Sequence, residues 1–165
     1  MLPFGGVLFS FFFYMKNFKY RLYPTKKQAQ QLYHFMRGLH VVYNQALQFR
    51  KQTWEEEKRS VSASELYKYI SSLRQTDEFA WFSELPSASI GHELRSLDEA
   101  FKNFFRRLKE AKPGEPAGYP KFKAKHHSEL RMKFHQNYSL DQEAGLVIGV
   151  PKIGSIKVRF HRPFE

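Results

Sequence analysis

The chain has 165 residues, 42% hydrophobic and 17% aromatic, with 27 Lys+Arg against 16 Asp+Glu and a net charge of +11. The aromatic content excludes general disorder, the length suits one compact domain or a split domain with an insert, and the absence of cysteine excludes disulfide frameworks, thiolate zinc sites and redox thiol chemistry. The charge points to an anionic partner, nucleic acid ahead of a membrane surface.

Residues 1–14, MLPFGGVLFSFFFY, carry no charge, and Met15 then opens an ordinary mixed sequence. The run is too short to span a membrane, which takes about 18–20 residues, and it lacks the basic start and small-residue cleavage site of a signal peptide. We expect an upstream extension of the reading frame, with translation starting at Met15. A buried extra strand and a membrane anchor are the alternatives.

Phe18, Tyr20 and Leu22 alternate with Lys19, Arg21 and Tyr23, the period of a half-buried strand, and Pro24 ends it. Thr25 with Gln28 reads as a capping box, so a helix is predicted over 26–37 with Ala29, Leu32, Tyr33 and Met36 inward. Gly38 is expected to break or kink it. A second helix follows over 40–58, with Val42, Tyr43, Ala46, Leu47, Phe49 and Trp54 as its buried stripe. Ser62 or Ser64 caps a third, with Leu66, Tyr67, Ile70 and Leu73 inward. The longest helix runs from Ser87 to about Lys112 and places Ile90, Leu94, Leu97, Phe101, Phe104, Phe105 and Leu108 in one sector. Arg95, Lys102, Arg106 and Lys109 fall in a separate sector, flanked by Asp98 and Glu99.

PGEPAGYP ends that helix and leads into KFKAKHHSELRMKFH. Lys121, Lys123 and Lys125 alternate with Phe122 and Ala124, so an extended segment would present three ammonium groups on one face. Arg131 and Lys133 follow in the same manner. Residues 101–135 hold ten Lys/Arg and three Glu, a concentration suited to neutralising phosphates. Near the end, Leu146, Ile148 and Val150 precede a PKIG turn, and Ile156, Val158 and Phe160 alternate with Lys157, Arg159 and His161. Short strands on both sides of a helical block, without a βαβ rhythm, predict an α+β fold.

Catalytic constellations are missing. The carboxylates are scattered, with Asp98-Glu99 on a helix and Asp141/Glu143 in a turn-like segment, and form no ligand set for divalent ions. His126 and His127 would point to opposite faces of a strand. There is no phosphate-binding G-x-x-x-x-G-K-[ST] loop and no G-x-S-x-G elbow. No catalytic residue, metal site or cofactor is expected.

KYRLYPTKKQ, VVYNQAL, LPSASI, LDEAFKNFFRRLK, GYPKFKAK and LVIGVPKIGSIKVRFHRP occur in this order. Together they resemble the amino-terminal part of the TnpB/OrfB insertion-sequence proteins, RNA-guided DNA endonucleases related to type V CRISPR effectors, over about residues 15–165. The resemblance implies a helix-turn-helix-like recognition block, residues 25–112, inserted in a split, OB-like antiparallel β-barrel (the wedge domain) formed by 15–24 and 113–165. Family members continue into a RuvC-like nuclease with an Asp/Glu/Asp metal site and a Cys₄ zinc ribbon. This chain stops at HRPFE before either, so we expect a truncated form without enzyme activity.

The expected partners are DNA and structured guide RNA, in a bacterial or archaeal cytoplasm, with no small-molecule substrate. The expected nucleic-acid-binding residues are Lys19, Arg21, Asn44, Arg95, Lys102, Arg106, Lys109, Lys121, Lys123, Lys125, Arg131, Lys133, Arg159 and Arg162. Asn44 and Tyr43 belong to a motif that could equally serve packing. The competing reading is a basic membrane-surface or protein-interaction module that uses the Phe-rich amino terminus.

Overall fold

The elements follow in the order β1 (Arg21–Tyr23), α1 (Lys26–Glu57), α2 (Ala63–Leu73), a 3-10 turn (Ala80–Glu84), α3 (Ser87–Glu110), β2 (Ser139–Asp141), β3 (Leu146–Val150) and β4 (Gly154–Arg159). The computed structural model describes residues 17–110, 116–125, 128–134 and 138–163. The expectations for residues 1–14 and for the His126-His127 pair lie outside these.

α1 starts where its capping box places it. Thr25 Oγ1 accepts from the Gln28 backbone N–H at 3.3 Å, and Gln28 Oε1 accepts from the Thr25 N–H at 3.0 Å. The expected break at Gly38 does not occur, and one helix of 32 residues runs straight through it. A glycine costs a helix about 1 kcal/mol relative to alanine, which packing can override. Here a Cβ on Gly38 would lie 2.7 Å from Leu85 Cδ2 and 2.9 Å from Trp81 Cζ3. Gly38 lets the 3-10 turn press against α1. It does not punctuate the helix.

The core is a helical one. Leu39, Val42, Ala46 and Leu47 of α1 meet Leu66 and Ile70 of α2, Phe82 of the turn and Leu85 just after it, and Ile90, Leu94 and Leu97 of α3. α2 is capped by Ser62, whose hydroxyl accepts from the Glu65 N–H while the Glu65 carboxylate accepts from the Ser62 N–H. Phe49 and Tyr69 stack at 4.2 Å where α1 faces α2.

In the first turns of α1 the buried side differs from the predicted one, since Ala29 and Tyr33 are exposed. That end of α1 meets backbone polar groups of the sheet in place of the bundle. Gln28 Nε2 donates to the Ser155 carbonyl at 2.7 Å, and Gln31 Nε2 to the Lys152 carbonyl at 2.8 Å.

The four strands form an antiparallel sheet in the order β1-β4-β3-β2, so the fold class is α+β. β1 pairs with β4 as anticipated, Leu22 opposite Val158, although all helices intervene in sequence. Among the described residues the sheet is open, with β1 and β2 at its edges. β4 keeps the predicted alternation, with Ile156 and Val158 buried and Lys157 and Arg159 exposed. β3 does not: the register shifts between Val147 and Val150, and Ile148 is turned outward. A bulge inserts an extra residue and breaks the two-residue period that the sequence reading assumed.

Gly38→Ala separates the two roles of that residue. A helix-breaking glycine would gain about 1 kcal/mol on substitution, whereas overpacking a tight contact costs about 1–3 kcal/mol. We expect a lower thermal midpoint. A raised midpoint would contradict the close-approach role.

Candidate nucleic-acid interface

Residues 116–134 are neither helix nor strand among the described positions, yet they are held closely to the bundle. Arg107 donates to the carbonyls of Ala117 at 2.7 Å and Gly118 at 3.3 Å, at the far end of α3. Asn44 of α1 clamps residue 123 from both sides: its Oδ1 accepts the Lys123 N–H at 2.8 Å and its Nδ2 donates to the Lys123 carbonyl at 3.1 Å. Arg37 donates to the Lys125 carbonyl, His40 Nε2 lies 3.2 Å from the Glu129 carbonyl, and the Ser89 hydroxyl donates to the Lys133 carbonyl at 3.0 Å. This segment is a strap that runs antiparallel to α3, from Arg107 back to Ser89, along the line where α1 meets α3.

The lysine alternation 121–123–125 therefore splits. Lys121 and Lys125 are exposed, but Lys123 turns inward and its ammonium pairs with the Glu93 carboxylate of α3. Glu93 is nearly buried, with 9% of its side chain accessible, and a buried carboxylate needs a cation. The Tyr43 ring lies 4.4 Å from the Lys123 ammonium and adds a cation–π contact. Phe122, which alternates with the lysines, is half exposed, with the Lys51 ammonium 5.3 Å from its ring. The expectation of three outward ammonium groups is corrected to two, and Asn44 holds the strap through both atoms of its amide.

Sequence reasoning missed this cluster, although one signal was present. Glu93 lies on the buried stripe of Ile90, Leu94 and Leu97, where an unpaired carboxylate would be costly. His40 is also buried, and its Nδ1 has no hydrogen-bond partner among the described residues. Burial first, and then the positive charge of Lys123, hold its imidazole below the ordinary value of 6.5. Glu93 and the Glu129 carbonyl pull the other way, and Arg37 adds to the lowering.

The other expected residues fall into two exposed groups. Arg95, Lys102, Arg106 and Lys109 lie along α3. Lys19, Arg21, Arg159 and Arg162 gather at the β1–β4 edge, where Arg21 stands directly opposite Arg159. Arg131 is paired with Glu129, and Lys133 is exposed beside it. Two unpredicted pairings use cations elsewhere: Arg50 binds Asp98 and the Val61 carbonyl, and Arg59 binds Glu57 and Glu65. By contrast, Arg95, Lys102, Arg106, Lys109, Lys121 and Lys125 have no carboxylate partner among the described residues. Among those residues, no group of three or more His, Asp or Glu is placed to hold a metal ion. No described helix is long and apolar enough to cross a membrane.

Residues 15–59 match the helix-turn-helix domain of the OrfB/IS605 family. In the structure that stretch holds β1 and all of α1, and a turn at 58–62 leads on to α2. Over 119 residues the chain is 33% identical to a Streptomyces pristinaespiralis protein named as an RNA-guided DNA endonuclease, covering 72% of this chain and 28% of that one. It is 25% identical over 148 residues to the RNA-guided DNA endonuclease InsQ of Escherichia coli K12, covering 90% and 34%. Virulence protein VsdF of Salmonella dublin is 27% identical over 112 residues, 64% of this chain and 89% of that protein. The domain match over residues 15–59 and the similarity of most of the chain to the two endonuclease-named relatives support a sequence of the amino-terminal TnpB/OrfB type. It spans about a third of the length of the two endonuclease-named relatives.

Two predictions concern the strap. Asn44→Ala leaves a backbone N–H and C=O of the strap without partners and should cost about 2 kcal/mol in urea unfolding. An unchanged midpoint would deny the clamp. For His40 the folded value is lowered, so as pH falls through about 6.5 the unfolded chain takes up the proton first and stability drops. The effect is bounded by about 1.4 kcal/mol per pH unit. Comparing unfolding midpoints at pH 7.5 and 5.5, His40→Gln should show a smaller acid loss than the parent. Equal losses would place the sensitive proton elsewhere.

Proposed function

We propose that this chain is a nucleic-acid-binding module of a TnpB/OrfB-type protein that grips phosphate backbones with α3 and the strap. The carrying observation is the set of exposed cations without carboxylate partners among the described residues: Arg95, Lys102, Arg106 and Lys109 on α3, with Lys121 and Lys125 beside them in the chain's course. The Arg21–Arg159 opposition adds support, since like charges facing each other across strands are destabilising until an anion lies between them. Lys19, Arg162 and Lys133 complete the proposed contact set, and Lys123 and Asn44 act by positioning it.

The names of two relatives favour DNA and an RNA as ligands, and the match to the OrfB/IS605 helix-turn-helix domain favours a part in transposition. Such contacts hold a nucleic acid in register without reading its bases. The function assigned is binding. Metal-dependent DNA cleavage needs convergent carboxylates, and no such group is placed among the described residues.

Lys102, Arg106 and Lys109 changed together to Ala should weaken binding to the same degree for unrelated duplex sequences. The slope of log K against log salt should flatten by about 2–3 units for double-stranded DNA. Unchanged affinity and slope would refute the assignment of this face. Because Lys123 is bound to Glu93, its replacement should act through stability and leave the slope of the folded protein unchanged.

A further inference from the structure

The apolar stripe of α3 extends beyond the core. Leu94 and Leu97 are buried, but Phe105 is 55% exposed, as is Trp54 near the end of α1 at 56%. Together with Phe101, Phe104, Tyr119 and Arg50 they line a groove of about 330 Å³. Tyr119 meets Phe101 and Phe104 edge-on, at 5.6 and 5.1 Å between ring centres, and so stands as a wall over them. The Arg50 guanidinium lies 4.8 Å from the Phe101 ring centre. Trp54 and Phe105, one from each helix, are left with ring surface open to solvent.

We propose that this groove takes an unstacked base of a single-stranded nucleic acid. Its rings offer apolar faces of the kind on which bases stack, a contact tolerant of sequence. Charge selects this occupant over an apolar protein segment. The described residues between 101 and 125 hold seven Lys/Arg and Glu110 as the one acid. At the same end of α1, Glu57 pairs with Arg59 at 2.6 Å, and at Tyr119, whose phenol burial holds above its ordinary value, the nearby charge of Glu55 is opposed by that of Arg50. Lys102 and Arg106 belong to the same helical turns as Phe101 and Phe105, so a strand whose base entered the groove would have its phosphates among cations. The inference rests on the nucleic-acid reading above and adds base contact, which backbone cations alone do not provide.

The test uses the full chain and three probes of equal phosphate number: a single-stranded oligonucleotide, the same strand with abasic sites, and a duplex. The wild-type protein should bind the base-bearing strand on the order of tenfold more tightly than the abasic one. Trp54→Ala and Phe105→Ala should each remove about that factor for the single strand. Duplex affinity and salt slope should stay as in the wild type. Both side chains are more than half exposed, so the variants should keep their thermal midpoints. Equal wild-type affinity for base-bearing and abasic strands, with duplex binding retained, would overturn the groove proposal and leave the backbone reading standing. Failure of all three probes to bind at low salt would overturn both. Concentration-dependent self-association of the wild type that Phe105→Ala abolishes, with strand binding unchanged, would assign the groove to a second copy of the chain and overturn the proposal.

Discussion

A chain segment without helix or strand can lie against a hydrophobic bundle only if something satisfies its backbone polar groups. In this protein the bundle does so with side chains. Asn44, Arg37, Ser89 and Arg107 each supply hydrogen bonds to the 116–134 strap, and His40 faces a further carbonyl of it. The Glu93–Lys123 pair fixes the middle of the strap electrostatically. Leaving either partner alone in that place would cost more than the pair itself contributes, because the survivor would be a poorly solvated charge. That asymmetry makes the register of the strap specific.

The register decides what reaches solvent. With residue 123 pinned inward, Lys121 and Lys125 are exposed on either side of it, and Tyr119 reaches the Phe101–Phe104 edge of α3. Slippage by one residue would exchange the inward and outward sets. The strap also leads from the bundle towards the sheet, which is tied to the first turns of α1 by Gln28 and Gln31 and to the 3-10 turn by the Lys152 ammonium on the Ser83 carbonyl. The cationic face of α3 and the β1–β4 edge thus belong to one connected framework.

Much of this was legible in the sequence. One cap announced itself, since Thr25 with Gln28 is a local motif whose geometry depends on four residues only, whereas the choice left open between Ser62 and Ser64 is decided for Ser62 by its box with Glu65. The long helix and the β4 alternation were clear because burial follows a period. Two failures have a common cause. Gly38 looked like a break because propensity is local, whereas the close approach of Leu85 and Trp81 is tertiary. Lys123 looked like its neighbours at 121 and 125 because alternation carries no information on which face a buried carboxylate will occupy. Likewise, the exposure of Phe105 could not be read from the stripe, since the stripe does not say where the core ends.

The central claim is that the strap is a fixed part of the folded bundle, held at residue 123. Native-state hydrogen exchange at the Lys123 amide measures this directly, since that N–H donates to Asn44 Oδ1 outside any regular element. The account predicts exchange slowed to the range of the partly buried helical amides around it, and loss of that protection in Asn44→Ala while α1 and α3 remain protected. Exchange of the Lys123 amide at the rate of an unstructured peptide, in a protein whose helices are intact, would contradict it.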